Sequence, residues 1–307
     1  MAPVDVTVKV PATSANLVPG FDSFGLALEL HNRFTARLAE SWSVRVTGVG
    51  AGRLSESSDN QVAQAMARVF ADVGKDGLAA VVECENEIPT GEGRGSSAAA
   101  IVGGMLLADR LCDARLDATR IHALAAEMEG HPDNVAAALL GGFTIAWDDG
   151  GPKARHIEPG RGLAAVVVTA DTPLATMYSR SLLPRRVPHS DAAFSAGRAG
   201  ALAAGMVLGD HDLMAAGLAD RIHEKYRIPE IPDFEEIREI LLDAGVAGAV
   251  LSGAGPTVVG LICARDDAAA RVQAEGVAER AAVIVAGLPG RCAPRVLGVA
   301  RLGAQFV

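Results

Sequence analysis

A chain of 307 residues, half of them apolar but only 4% aromatic, is long enough for two domains whose cores are built from Ala, Val, Leu and Ile. A formal net charge of −9 with no basic block argues against a nucleic-acid partner. No apolar run reaches membrane-spanning length and the N-terminus is not of signal-peptide type, which points to small-molecule partners in the cytoplasm and not to a membrane. Cys84, Cys112, Cys263 and Cys292 form no CxxC pair and read as reduced thiols of a cytoplasmic protein, not as a zinc site.

Residues 4–10 alternate with a period of two and predict a strand. Residues 11–20 are small and polar, ending in Pro19-Gly20, and read as a loop that carries Asn16 and leads to Asp22. An apolar strand follows, and residues 41–49 predict another. Asn60 stands as N-cap before the helical pattern Val62, Ala63, Ala65, Met66, Val69, Phe70. A strand over 78–84 leads into residues 88–101, where Gly91, Gly93 and Gly95 alternate and Ser96-Ser97 precede an apolar run. Helices are expected over 97–110 and 117–128. Pro132 opens a further helix through Asp133 and Asn134 to Leu140, closed by Gly141-Gly142, and residues 143–147 form a strand.

The turn formers at 148–153 mark the expected boundary between a domain of residues 1–150 and one of 151–307. Beyond it come a strand over 163–169 and helices over 192–208 and 234–244. Strands at 246–251 and 258–263 are joined by the Ser-Gly-Ala-Gly-Pro-Thr turn of 252–257; a helix over 267–286 and a strand over 295–302 complete the chain. The order lacks a steady βαβ alternation, so the fold class is α+β.

The 88–101 stretch carries chemistry. Glycine allows positive φ and close backbone approach, and a helix start offers unpaired N–H groups and partial positive charge. Together they make an anion site, most often for phosphate. The P-loop pattern G-x-x-x-x-G-K-[ST] is missing, and serine at position 96 breaks G-x-G-x-x-G. Hydroxyls at this place either cap the helix or reach a Mg²⁺ ion on a nucleotide.

The pattern Pro89-x-Gly91-x-Gly93-x-Gly95-Ser96-Ser97-Ala98-Ala99 resembles the phosphate loop of the GHMP kinases, among them galactokinase, homoserine kinase, mevalonate kinase and phosphomevalonate kinase. Pro-Ala-Thr-Ser-Ala-Asn over 11–16, with Pro19-Gly20-Phe21-Asp22, resembles their first motif, and residues 251–257 their third. The first motif lacks the lysine usual in mevalonate-type members. Glu-Met-Glu-Gly-His-Pro-Asp-Asn-Val over 127–135, Gly141-Gly142-Phe143, the pair Thr176 and Arg180, and residues 220–227 are similar to the homoserine kinase branch.

The resemblance implies a two-domain GHMP kinase fold, with a ribosomal-protein-S5-domain-2-like N-terminal domain and a ferredoxin-like C-terminal domain. It implies ATP and Mg²⁺, L-homoserine as the substrate in threonine biosynthesis, and a homodimer. The loop Pro89, Gly91, Gly93, Arg94, Gly95, Ser96 and Ser97 would cradle ATP, with Asn60 near the base. Ser97 and Glu127 would hold Mg²⁺. Arg180 and Arg227 are expected on the substrate carboxylate and Asp22 on its ammonium, with Asn16, Thr176 and Gly253 completing the site. Asn134 and His131 would hold the hydroxyl in line without a strong protein base, with Arg227 beside them and Asp133 as the rival base. Arg94 stands where the family usually has a hydrophobic residue, often Leu, and Val18 where it has a small one. Glu92 puts a carboxylate in an anion loop, so it is expected to point to solvent or pair with Arg94. Two other readings stay open: a GHMP kinase for a related alcohol, and a catalytically silent metabolite-binding protein of this fold.

Overall fold

The computed structural model describes residues 4–170 and 176–307. The first half contains the strands β1 (Val6–Ala15), β2 (Phe24–Ala39), β3 (Ser43–Gly48), β4 (Ala79–Asn86), β5 (Phe143–Asp148) and β6 (Pro152–Ile157), with four helices between β3 and β5. These are α1 (Gln61–Asp72), α2 (Ser96–Cys112), α3 (Ala118–Glu129) and α4 (Asp133–Leu140). The second half contains β7 (Leu163–Val168), α5 (Thr176–Ser181), α6 (His189–Leu208), α7 (His211–Gly217), the short α8 (Glu224–Arg227) and a 3₁₀ turn (Ile228–Glu230). It continues with α9 (Phe234–Asp243), β8 (Gly248–Leu251), β9 (Val258–Cys263), α10 (Asp267–Val285), β10 (Arg295–Gly298) and β11 (Gln305–Phe306).

A seven-stranded sheet runs β11-β1-β2-β4-β3, with β5 beside the start of β2 and β6 beside β5. Only β3 and β4 pair in parallel. The second sheet runs β10-β7-β9-β8, all antiparallel. With α9 before β8 and α10 after β9, this is the ferredoxin-like order. It is a mixed α+β architecture, as the order of predicted elements implies.

Three local expectations change. The expected loop after residue 10 is strand as far as Ala15, because a register shift between Pro11 and Ala12 accommodates the proline and lets Ala12–Ala15 pair with β2. The turn formers at 148–153 make the β5–β6 hairpin, with Asp148 opposite Pro152, and the chain leaves the first sheet after Ile157. The last strand stops at Gly298; Val299 then bridges to Leu28, and β11 returns to the edge of β1.

Helices α1 and α2 cover the first sheet. The buried face of α1 is Val62, Ala63, Ala65, Met66, Val69 and Phe70, the set its helical spacing predicts. On α2, Gly103 lies under the Phe34 ring and Gly104 under the α1 backbone. A Cβ at Gly104 would collide with the Val62 carbonyl and lie 2.8 Å from the Ala65 methyl. The second core packs Phe234, Ile237 and Leu241 of α9 and Ala270, Ala274 and Val277 of α10 onto β7 to β9. Gly104→Val should therefore force α1 away from α2 and cost about 1–3 kcal/mol or more. Urea denaturation should show a lower midpoint at an unchanged slope.

Candidate active site

The glycine loop is shaped from both sides. Gly91, Gly93 and Gly95 all hold positive φ, at 72°, 74° and 68°. A Cβ on Gly95 would strike the Thr13 hydroxyl and come within 3.3 Å of Asn134 Oδ1, and one on Gly93 would meet the Ser252 and Gly255 carbonyls. Thr13 N donates to the Arg94 carbonyl (3.1 Å), Ser252 Oγ to that of Gly93 (2.5 Å) and Thr257 Oγ1 to that of Glu92 (2.6 Å). The loop is thus clamped between β1 and the 252–257 turn. Neither serine caps α2: the helix has no side-chain cap, which leaves its first N–H groups facing the cleft. Pro89 is half-buried at the loop entry and lines neither cavity described below.

Ser97 Oγ donates to Glu129 Oε2 (2.5 Å) and accepts from Gln61 Nε2 (2.6 Å). Glu129 lines the cleft, and burial raises its carboxyl pKa against the lowering by Ser97 and His131. Glu127 does not line the cleft. Its side chain is 54% exposed and bonds Arg68 at 3.1 Å. The pair of oxygen donors beside the loop is therefore Ser97 and Glu129, not Ser97 and Glu127. Among the described residues no group of three or more His, Cys, Asp or Glu gathers around a metal position. One carboxylate and one hydroxyl suit Mg²⁺, which is commonly held by one or two carboxylates together with substrate phosphates and water.

Past Ser96 and Ser97 the cleft opens into a hollow lined by Phe34, Leu54, Asn60, Val62 and Asn86. Asn60 caps α1, accepting from Val62 N (2.9 Å) and donating to the Ser55 carbonyl (2.7 Å), while standing in this wall. Asn86 Oδ1 is buried there with no partner. The sequence offers no local sign of Asn86, which simply ends a strand.

On the other side the cleft is lined by Asn16, His131, Asn134, Arg180, Arg227 and Gly253. Asn16, Leu17 and Val18 turn the chain with φ of 67°, 43° and 68°, a left-handed run of non-glycine residues. Asn16 Nδ2 donates to the Gly253 carbonyl (3.0 Å), and its Oδ1 accepts from Asp22 N (3.0 Å). Arg180 forks onto Asp22 through both oxygens (3.0 and 2.5 Å). Arg227 is buried and donates to the Gly253 carbonyl (3.0 Å) and to His223 Nδ1 (3.3 Å), while its Nε has no partner. Burial, then the nearby Arg180, lowers its pKa. Both guanidiniums face the Phe21 ring, which also stacks on His223. The backbone of Thr176 starts α5; its side chain lies outside the described residues.

The 220–227 segment supports Arg227 from below. Asp220 accepts from the N–H groups of Ile222, His223 and Glu224 and from Ser195 Oγ. His223 Nε2 donates to the Val18 carbonyl (2.5 Å), and burial lowers its pKa to about 4, so it stays neutral and accepts from Arg227. Glu224 Oε1 accepts from Leu251 N (2.8 Å), and burial raises its pKa to about 7. These supporting roles were not visible in the sequence.

At the start of α4, Asp133 Oδ1 accepts from His131 Nδ1 (2.7 Å) and from Asn134 N (2.7 Å). Burial lowers the His131 pKa, but the Asp133 bond and the Asp133 and Glu129 charges outweigh it, and the net shift is upward. Thr13 Oγ1 donates to Asn134 Oδ1 (2.6 Å), leaving the amide NH₂ as the donor end.

The family model described as the GHMP kinases N terminal domain matches residues 60–142, and that of the GHMP kinases C terminal domain matches 200–281. A homoserine kinase of Clavibacter michiganensis is 44% identical over 282 residues, covering 90% of this chain and 87% of the relative. One from Streptomyces coelicolor is 42% identical over 274 residues, covering 88% and 87%. The crystal structure of homoserine kinase from Cytophaga hutchinsonii superposes with a TM-score of 0.86 at 27% identity, covering 99% of this chain and 97% of that one.

The buried Glu224 has a measurable signature. Its pKa rises from 4.5 to about 7, so between those values the folded protein keeps a proton that the unfolded chain has lost. The stabilisation is complete below 4.5 and is lost as pH rises through 7. Glu224→Gln keeps an acceptor for Leu251 N but cannot titrate. Relative to the unaltered protein, the variant should gain stability as pH rises through that window, read from urea midpoints; a flat difference would mean that the carboxyl is not desolvated.

Proposed function

This chain belongs to the homoserine kinase family of the GHMP kinases, and we propose that its cleft transfers the terminal phosphoryl group of ATP to the side-chain hydroxyl of L-homoserine, giving O-phospho-L-homoserine on the way to threonine. The observation that carries the reading at the site is the bidentate Asp22–Arg180 pair, whose Arg180 lines the cleft of the glycine loop while Asp22 stands behind it. An α-amino acid presents the complement of that pair. Its carboxylate takes the Arg180 fork with help from Arg227, its ammonium takes Asp22, and one ion pair becomes two. Asn16 and the Gly253 carbonyl border the same end.

ATP lies with its base in the hollow lined by Asn60 and Asn86 and its phosphates against the loop and the α2 N-terminus. Ser97 and Glu129 would hold Mg²⁺, which when bound would neutralise phosphate charge. The substrate oxygen forms a bond to the γ-phosphorus. The bond from that phosphorus to the β,γ-bridging oxygen breaks, and its electron pair leaves with ADP. Asn134 and His131 hold the hydroxyl in line, and its proton passes to phosphate or solvent. Asp133, buried and occupied by His131 and Asn134, orients these two and is not the base. Positioning and charge neutralisation supply most of the rate. The reading includes a homodimer in the cytoplasm, and sedimentation velocity checks the dimer.

Coupled ADP release with homoserine, threonine, shikimate and mevalonate tests the substrate; turnover confined to another alcohol would overturn it. Glu129→Gln should lower kcat by roughly 100-fold or more and weaken the Mg²⁺ dependence, while Glu127→Gln stays within about twofold of the unaltered enzyme. Asn134→Ala should lose kcat with Asp133→Asn less affected; the reverse order, with ATP and homoserine binding intact, would make Asp133 the base.

A further inference from the structure

Arg94 is the one cation inside the glycine loop, and it is almost wholly desolvated: its side chain is 7% exposed. Its Nη2 donates to Glu92 Oε2 at 2.7 Å, and its Nε is buried with no partner. A guanidinium fork can bind two anionic oxygens side by side, and here one carboxylate oxygen occupies one arm. Glu92 sits nearer the rim, at 18% exposure, so it can leave for water while Arg94 cannot. Glu92 lines the same cleft as Ser96 and Ser97, where the α2 N-terminus favours an anion.

The position of Arg94 selects which phosphate it serves. Gly91, Ser96 and Ser97 line both the base hollow and the substrate side of the cleft. Arg94 lines only the substrate side, with Asn134, Arg180 and Arg227. Arg180 and Arg227 are taken by the substrate carboxylate in the proposed reading, which leaves Arg94 as the guanidinium for the transferred phosphate. We propose that Arg94 is a catalytic residue of this enzyme: its guanidinium leaves Glu92 and grips the γ-phosphoryl group during transfer, with Glu92 as the resident anion that the phosphate displaces. This rests on the reading of the cleft as a kinase site. In the transfer the bond to the β,γ-bridging oxygen breaks towards ADP as the substrate oxygen bonds to phosphorus, and Arg94 neutralises charge on the non-bridging oxygens.

The test compares Arg94→Met, Arg94→Lys and Glu92→Gln, with urea midpoints to confirm folding. Arg94→Met should lower kcat roughly 10- to 100-fold while the KM for homoserine and the Kd for ADP stay within about twofold. By calorimetry, affinity for a β,γ-imido ATP analogue should fall towards that for ADP. Arg94→Lys should recover part of kcat, and Glu92→Gln should tighten the imido analogue more than ADP. An unchanged kcat, a loss carried by the KM for homoserine, or equal weakening of ADP and the analogue would each overturn the proposal. If the unaltered protein fails to phosphorylate homoserine, the functional reading falls. The difference between analogue and ADP, with and without Arg94, still decides the role of Arg94.

Discussion

The docking of the glycine loop onto the 252–257 turn is the constraint on which the rest of the site depends. Ser252 and Thr257 donate to the carbonyls of Gly93 and Glu92, and Asn16 and Arg227 both donate to the Gly253 carbonyl. The bonds of Ser252, Thr257 and Asn16 join the β1 side of the molecule to the ferredoxin-like sheet across the cleft, and that of Arg227 fixes the turn from its own side. Each neutral bond contributes about 1 kcal/mol, but leaving a buried partner unmatched costs about 1–3 kcal/mol. The phosphate loop and the amino-acid site therefore hold their geometry together. Glycine at 93 and 95 is a steric requirement of that docking, since any side chain would strike backbone or Thr13.

Much of this was legible in the sequence because it is local. The Asn60 cap, the buried stripe of α1, the glycine loop before α2 and the helix beginning at Asp133 all follow from spacing and turn chemistry. The exchange of Glu127 for Glu129 is a matter of helical phase. The two residues are two apart on α3, roughly 200° around the axis, so they face opposite sides. The sequence places two glutamates there, and only the packing of α3 selects which one looks inward. Turn formers at 148–153 mark a hairpin as readily as a linker, and here they make the β5–β6 hairpin. The strand to Ala15 was hidden by Pro11, Thr13 and Ser14, whose composition resembles a loop.

What could not be read was long-range pairing. Asp22 and Arg180 are 158 residues apart, Asn16 and Gly253 237 apart, and Arg227 depends on His223 and Val18 for its setting. No periodicity encodes such pairs. Short elements such as α8 and β11 also lack the length for a pattern. The scarcity of aromatic residues gains meaning here. Cores of alanine and valine let α10 lie close to its sheet, while Phe21 stands beneath two guanidiniums, where a ring face offers cation–π attraction.

As the proposed amino-acid site, the Asp22–Arg180 pair would also make recognition conditional on two signals at once. A molecule with only a carboxylate would draw Arg180 away and strand Asp22; one with only an ammonium would do the converse. Either exchange would give up the resting ion pair and leave a half-buried charge without a counterion. A molecule that carries both charges on one carbon satisfies both residues together. In the proposed reading the resting ion pair would therefore act as a logical conjunction, screening hydroxylated acids and amines from the phosphoryl donor before any feature of the side chain is read.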